Sequence, residues 1–117
     1  MPALADVVRG LAQREGVEAL VVASGDGLTI DQHCPAGYDA EALSALTATL
    51  AQHADRLGAA GGRGELGTAV LECERGLALV SRAGTGVWLL LLVRPETNIG
   101  PLLYDLRRHR PALQALF

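Results

Sequence analysis

Hydrophobic positions along the chain switch between helical and strand spacing, and each switch marks a new element. In residues 3–15, Leu4, Val7, Val8 and Leu11 share one face, Asp6, Arg9, Gln13 and Arg14 point elsewhere, and Gly16 follows as a stop. That spacing predicts a short amphipathic helix. From Val17 to Ala23 both alternating faces are apolar except at Glu18, as in a strand covered on both sides. Ser24-Gly25-Asp26-Gly27 predicts a tight turn. Leu28 to His33 then alternates apolar with polar, which predicts a half-exposed edge strand.

Pro35 and Gly37 interrupt this pattern, and Asp39 is placed to cap a long helix ending near Leu57. Its leucines Leu43, Leu46, Leu50 and Leu57 form one stripe, expected to face the core. Opposite lie Ser44, Ala45, Ala48, Gln52 and Asp55, flanked by Ala51 and Arg56, a face small enough to admit another backbone closely, although alanine is also simply the best helix former. Glycine-rich residues 58–64 read as a flexible connection. Strands are expected over 66–73, 77–82 and 87–93, with turns at Glu74-Arg75-Gly76 and residues 83–86, forming an antiparallel meander. Thr97 or Asn98 caps a last helix with the stripe Ile99, Leu102, Leu103 and Leu106. Pro111 is expected to kink or stop it near Arg110, leaving one loose turn over 112–117.

The element order αββαβββα predicts an α+β fold: one five-stranded antiparallel sheet with helices on both faces. At 117 residues and 12.2 kDa the chain has length for a single domain over 1–117, with a core of about 3–110. The net charge of −3 and the lack of any long basic run argue against nucleic-acid binding, and 3% aromatic content offers no stacking platform. Residues 87–93, the longest apolar run, are far too short to span a bilayer. Two cysteines, Cys34 and Cys73, with no basic-then-apolar leader, predict a reduced cytoplasmic protein.

Enzymatic motifs do not assemble. Gly62-Arg63-Gly64-Glu65-Leu66-Gly67 has the spelling of a dinucleotide loop, but it follows a helix and opens a strand, the reverse of what a pyrophosphate needs. A chain without lysine has no Walker loop. His33, His53 and His109 lack metal-ligand spacing, and His33 and Cys34 point to opposite faces of one strand. Ser24, Ser44 and Ser81 lie in no nucleophile elbow, while Asp26 and Asp31 read as turn and surface residues. The expectation is a non-enzyme with no metal and no cofactor. Arg107-Arg108-His109-Arg110 reads chiefly as charge complementing the final helix's dipole.

The Gly25-Asp26-Gly27-Leu28 hairpin, the long second helix and Asn98-Ile99-Gly100 opening the last helix, in this order, resemble the roadblock/dynein light chain family over about residues 3–110. The similarity is greatest to bacterial members, including the mutual-gliding B-type regulator of a Ras-like GTPase. It implies a profilin-like fold with the long helix on one face and the terminal helices on the other. It also implies a homodimer through the third strand and the long helix, which draws in Ser44, Ala45, Ala48, Thr68, Val70 and Glu72. Pairing would remove the aggregation hazard of a free edge strand. The implied role is regulation or scaffolding of a small Ras-like GTPase, with hydrolysis stimulated without an inserted arginine finger and Gln52, Asp55 and Arg56 as polar contacts. Leu103 stands where bacterial relatives often carry arginine. The alternatives are a dimerisation scaffold without effect on hydrolysis and a small-molecule sensor of the PAS, GAF or profilin-like class.

Overall fold

The computed structural model describes residues 4–116. The elements are α1 (Leu4–Ala12), β1 (Val17–Ser24), β2 (Thr29–His33), α2 (Ala40–Ala60), β3 (Thr68–Cys73), β4 (Gly76–Gly84), β5 (Val87–Val93) and α3 (Gly100–Leu116). The order is the predicted αββαβββα, and β5 has the predicted limits. Residues 3 and 117, included in the expected terminal helices, lie outside the described residues.

All strands join one antiparallel sheet in the order β2-β1-β5-β4-β3. Successive strand residues point to opposite faces, so β1, β4 and β5 feed two cores. Leu20, Val22, Leu79, Leu89 and Leu91 pack under α1 and α3 with Val8, Leu106 and Leu113. Val21, Val80, Trp88 and Leu90 pack under α2 with Ala40 and Ala51. The long helix therefore covers one face and the terminal helices the other.

The N-terminus of α2 forms as its sequence requires, with the Asp39 carboxylate accepting the Ala42 amide at 3.1 Å. The helix outruns its expected end near Leu57 to reach Ala60, and Gly58 lets the following loop fold back onto it. A Cβ at Gly58 would collide with the Gly64 carbonyl, and the Arg63 amide donates to the Gly58 carbonyl at 2.7 Å.

Three expectations need correction. The buried face of α2 is formed by Ala40, Ser44, Thr47, Ala48 and Ala51, not by the leucines. Small side chains on the helix let it settle close over a sheet whose bulk comes from Trp88 and Leu90, and the Ser44 hydroxyl finds a partner 2.6 Å away in Thr29 Oγ1. The helix is thus rotated by about a third of a turn from the expected orientation. Leu28, just before β2, and Ile30 within it are exposed while Thr29 faces α2. A bulge that leaves Ile30 outside the ladder breaks the alternation. Finally, α3 continues through Pro111. The proline is exposed, and Leu113, one heptad beyond Leu106, is buried in the core. Its packing of about 1.5–3 kcal/mol helps offset the missing backbone bond. Arg107–Arg110 consequently lie within the helix rather than at its dipole end.

Candidate interaction surface

Large apolar side chains are exposed on several elements, among them α2 and β3. On α2, Leu46 is 66% and Leu57 76% exposed, while Leu43 and Leu50 beside them are half-buried against the sheet. With His53, these residues repeat at alternating steps of three and four, the spacing of a narrow helix-pairing seam rather than of a broad core face. The opposite flank of α2 runs beside the turns at one end of the sheet: Gln52 Nε2 donates to the Gly25 carbonyl, and Ala45 packs against Gly27. The leucines consequently overlook the other half of the face, where Ala78 and Leu92 are half-buried and Leu71 is exposed.

The second element is β3, which pairs only with β4. Val70 is 44% exposed on one face and Leu71 36% on the other. Its hydrogen-bonding direction is fixed by its neighbours. Cys73 and Gly76 close the hairpin, and the Arg82 amide donates to the Gly67 carbonyl at 2.9 Å. Residues 67, 69, 71 and 73 therefore point their backbone groups at β4. The amides and carbonyls of Thr68, Val70 and Glu72 point outward, unused.

A polar clamp ties α2 to the start of β3. The Asp55 carboxylate accepts the Leu66 amide at 2.7 Å and receives Arg82 NH2 at 2.8 and 3.0 Å. Arg82 Nε also donates to the Leu66 carbonyl at 3.0 Å, and its guanidinium lies 4.2 Å from the Trp88 ring centroid. The Leu66 amide above all, with Arg82 adding to it, holds the Asp55 carboxyl below its ordinary value. The strand begins at Thr68 instead of the expected Leu66, whose amide lies outside the ladder and is taken up by Asp55.

The anticipated interaction residues divide accordingly. Ala45, Gln52 and Arg56 are exposed on α2, and Val70 and Glu72 are exposed on the open edge. Thr68 is half-buried, its hydroxyl 3.1 Å from Ser81 Oγ and accepting Arg110 NH2 at 2.9 Å. Ser44 and Ala48 are turned into the protein's own sheet and have no surface to offer a second chain. The small face does receive a close backbone, but an intramolecular one. Asp55 is committed to the clamp rather than free for a partner. The seam Leu46, Leu50, His53 and Leu57 escaped the sequence reading, although its three-four spacing was the available signal.

A depression of about 810 Å³ opens among the described residues. It lies where the α1–β1 and β5–α3 connections meet and is lined by Arg14, Glu15, Arg94 and Glu96 among others. Its charged, open walls differ from the mostly apolar enclosure of a small-molecule sensor site. No group of three or more metal-binding side chains occurs among the described residues, and none of their helices is long and apolar enough to cross a membrane.

Comparison with known proteins places this surface in context. The Roadblock/LC7 domain model matches residues 4–93. An uncharacterised protein of Methanocaldococcus jannaschii, MJ0310, is 31% identical over 111 residues, covering 95% of this chain and 96% of its own. The Roadblock/LC7 domain structure from Streptomyces avermitilis superposes with a TM-score of 0.79 at 29% identity, over 92% of this chain and 94% of that one. Myxococcus xanthus MglB superposes with a TM-score of 0.86 at 18% identity, over 95% and 91% of the two chains. A structure of MglB in a tetrameric arrangement gives 0.84 at 19% identity, over 96% and 85%.

Proposed function

Because the chain belongs to the Roadblock/LC7 domain family, we propose that it is a homodimeric regulator or scaffold of a small Ras-like GTPase in the cytoplasm. The observation that carries this reading is the pair of open surfaces left by the leucine flank of α2 and the unpaired edge of β3. Fully burying a leucine stabilises by about 1.5–3 kcal/mol, so covering Leu46 and Leu57 in each of two copies is a substantial drive to associate. Pairing β3 with its copy satisfies the outward amides of Thr68, Val70 and Glu72 at the same time. The dimer residues are thus Leu46, Leu50, Leu57, Thr68, Val70 and Glu72, with Ser44, Ala45 and Ala48 removed. The shared fold with MglB, one structure of which shows a tetrameric arrangement, supports self-association.

In the dimer the exposed outer side of α2, carrying Ala45, Gln52 and Arg56, is left for the GTPase. The protein acts by holding the GTPase's own residues in place and supplies no catalytic group. The test is single-turnover GTP hydrolysis by the Ras-like GTPase of the same organism, with and without this protein. An acceleration abolished by Gln52→Ala together with Arg56→Ala supports regulation. Binding without acceleration reduces the role to a scaffold, and absence of binding ends the reading.

A further inference from the structure

Arg110 brings a positive charge from α3 to the open edge of the sheet without meeting a carboxylate. Its NH2 donates to Thr68 Oγ1 at 2.9 Å and reaches Ser81 Oγ at 3.3 Å, both neutral, while its buried Nε has no partner. No acidic side chain among the described residues lies within ion-pair distance of it, although burying a guanidinium is costly without a counter-charge. Glu72 is the mirror case. It shares β3 and a sheet face with Thr68 and Val70, is exposed, and has no ion-pair partner among the described residues. The two groups cannot meet within one chain's strand, because Thr68 and Glu72 are four residues, about 13 Å, apart.

Resting on the homodimer reading above, we propose a specific register for the edge-to-edge joint: β3 pairs antiparallel with its copy about Val70, so that Arg110 of each protomer forms an ion pair with Glu72 of the other. A two-fold axis perpendicular to the sheet keeps each side chain on its own face, so the axis must pass through a residue position. Centring on Val70 places all three outward-pointing residues in mutually hydrogen-bonded pairs, Thr68 against Glu72, Val70 against Val70 and Glu72 against Thr68. Centring on Ala69 or Leu71 leaves one of the three at each end without a like-directed partner in the strand. Directly opposed Cβ atoms lie about 4.5–5.5 Å apart, which puts the Glu72 carboxylate within reach of the guanidinium already resting on Thr68. The joint thus supplies the counter-charge that each subunit lacks.

Charge exchange tests the pairing. In sedimentation equilibrium, Glu72→Arg and Arg110→Glu should each weaken the dimer about tenfold, and the double variant should return to within about threefold of the native value. An unchanged Glu72→Arg dimer, or a double variant no better than the weaker single one, overturns the ion pair. Should Arg110→Glu fail to fold, a spin label on Cys73 in the Cys34→Ser protein reads the register directly. Centring on Val70 puts the two Cys73 Cα atoms about 20 Å apart along the joint. A separation of about 13 or 27 Å, expected for centres at Leu71 or Ala69, overturns the register while leaving the dimer intact. A native protein that stays monomeric overturns the dimer itself, and the pairing with it.

Discussion

The two edges of the sheet are opposites. β2 ends the sheet with five residues, a bulge at Ile30 and the polar run Asp31-Gln32-His33, and its Thr29 is tied to α2 through Ser44. β3 ends it with six residues in unbroken register with β4 and with apolar side chains exposed on both faces. Bulges, short length and polar side chains are what keep an edge from recruiting another strand, and β3 lacks the bulge and most of the polarity. Ile30 is 45% exposed and Val70 44%, so exposure alone does not distinguish the edges. What distinguishes them is whether an ordered row of amides lies beside the apolar residue.

The largest effect should come from giving each edge the same charge. Val70→Lys places like charges on the joint and should weaken self-association about a hundredfold, while Ile30→Lys should leave it within about twofold. Circular dichroism should show both variants folded, since each side chain is exposed. Equal behaviour of the two variants in sedimentation would erase the contrast between the edges. A smaller effect is expected on α2, where Leu57→Glu should cost about ten- to thirtyfold in association and little in monomer stability. Ala48→Leu tests the same helix from its buried side. Overpacking against the sheet should cost about 1–3 kcal/mol of stability by chemical denaturation. If instead Leu57→Glu unfolds the protein and Ala48→Leu is neutral, the helix faces the other way.

How much of this contrast is legible in the sequence depends on the range of the interactions. Asp39 as a cap, the Gly25-Asp26-Gly27 turn and the limits of β5 follow from neighbouring residues, and the sequence reading locates them. The orientation of α2 does not follow from counting leucines. Ser44, Thr47, Ala48 and Ala51 are buried because the sheet beneath them supplies the volume, a fact that resides in Trp88 and Leu90. The continuation of α3 past Pro111 rests on one later residue, Leu113, meeting the core. The clamp joins residues 27 apart in the chain, Asp55 and Arg82, and the Arg110–Thr68 contact spans 42. No local pattern announces either contact, which is why Asp55 reads as an ordinary polar surface residue.

The clamp supplies the last and smallest way to sharpen the comparison. The Leu66 amide and Arg82 favour the ionised form of Asp55, so its carboxyl lies lower in the folded protein than in the unfolded chain, where it titrates near pH 3.9. Its contribution to stability is then complete above the unfolded value and is lost as pH falls through the folded one. Asp55→Asn keeps the shape but removes the charge, and should lower stability by about 1–2 kcal/mol at neutral pH and flatten the acid limb below about pH 4. Because the clamp grips Leu66, two residues before β3, the variant should also speed amide exchange in β3 while leaving β2 unchanged. A uniform change across both edges would mean that Asp55 stabilises the domain as a whole and does not hold the open edge in place.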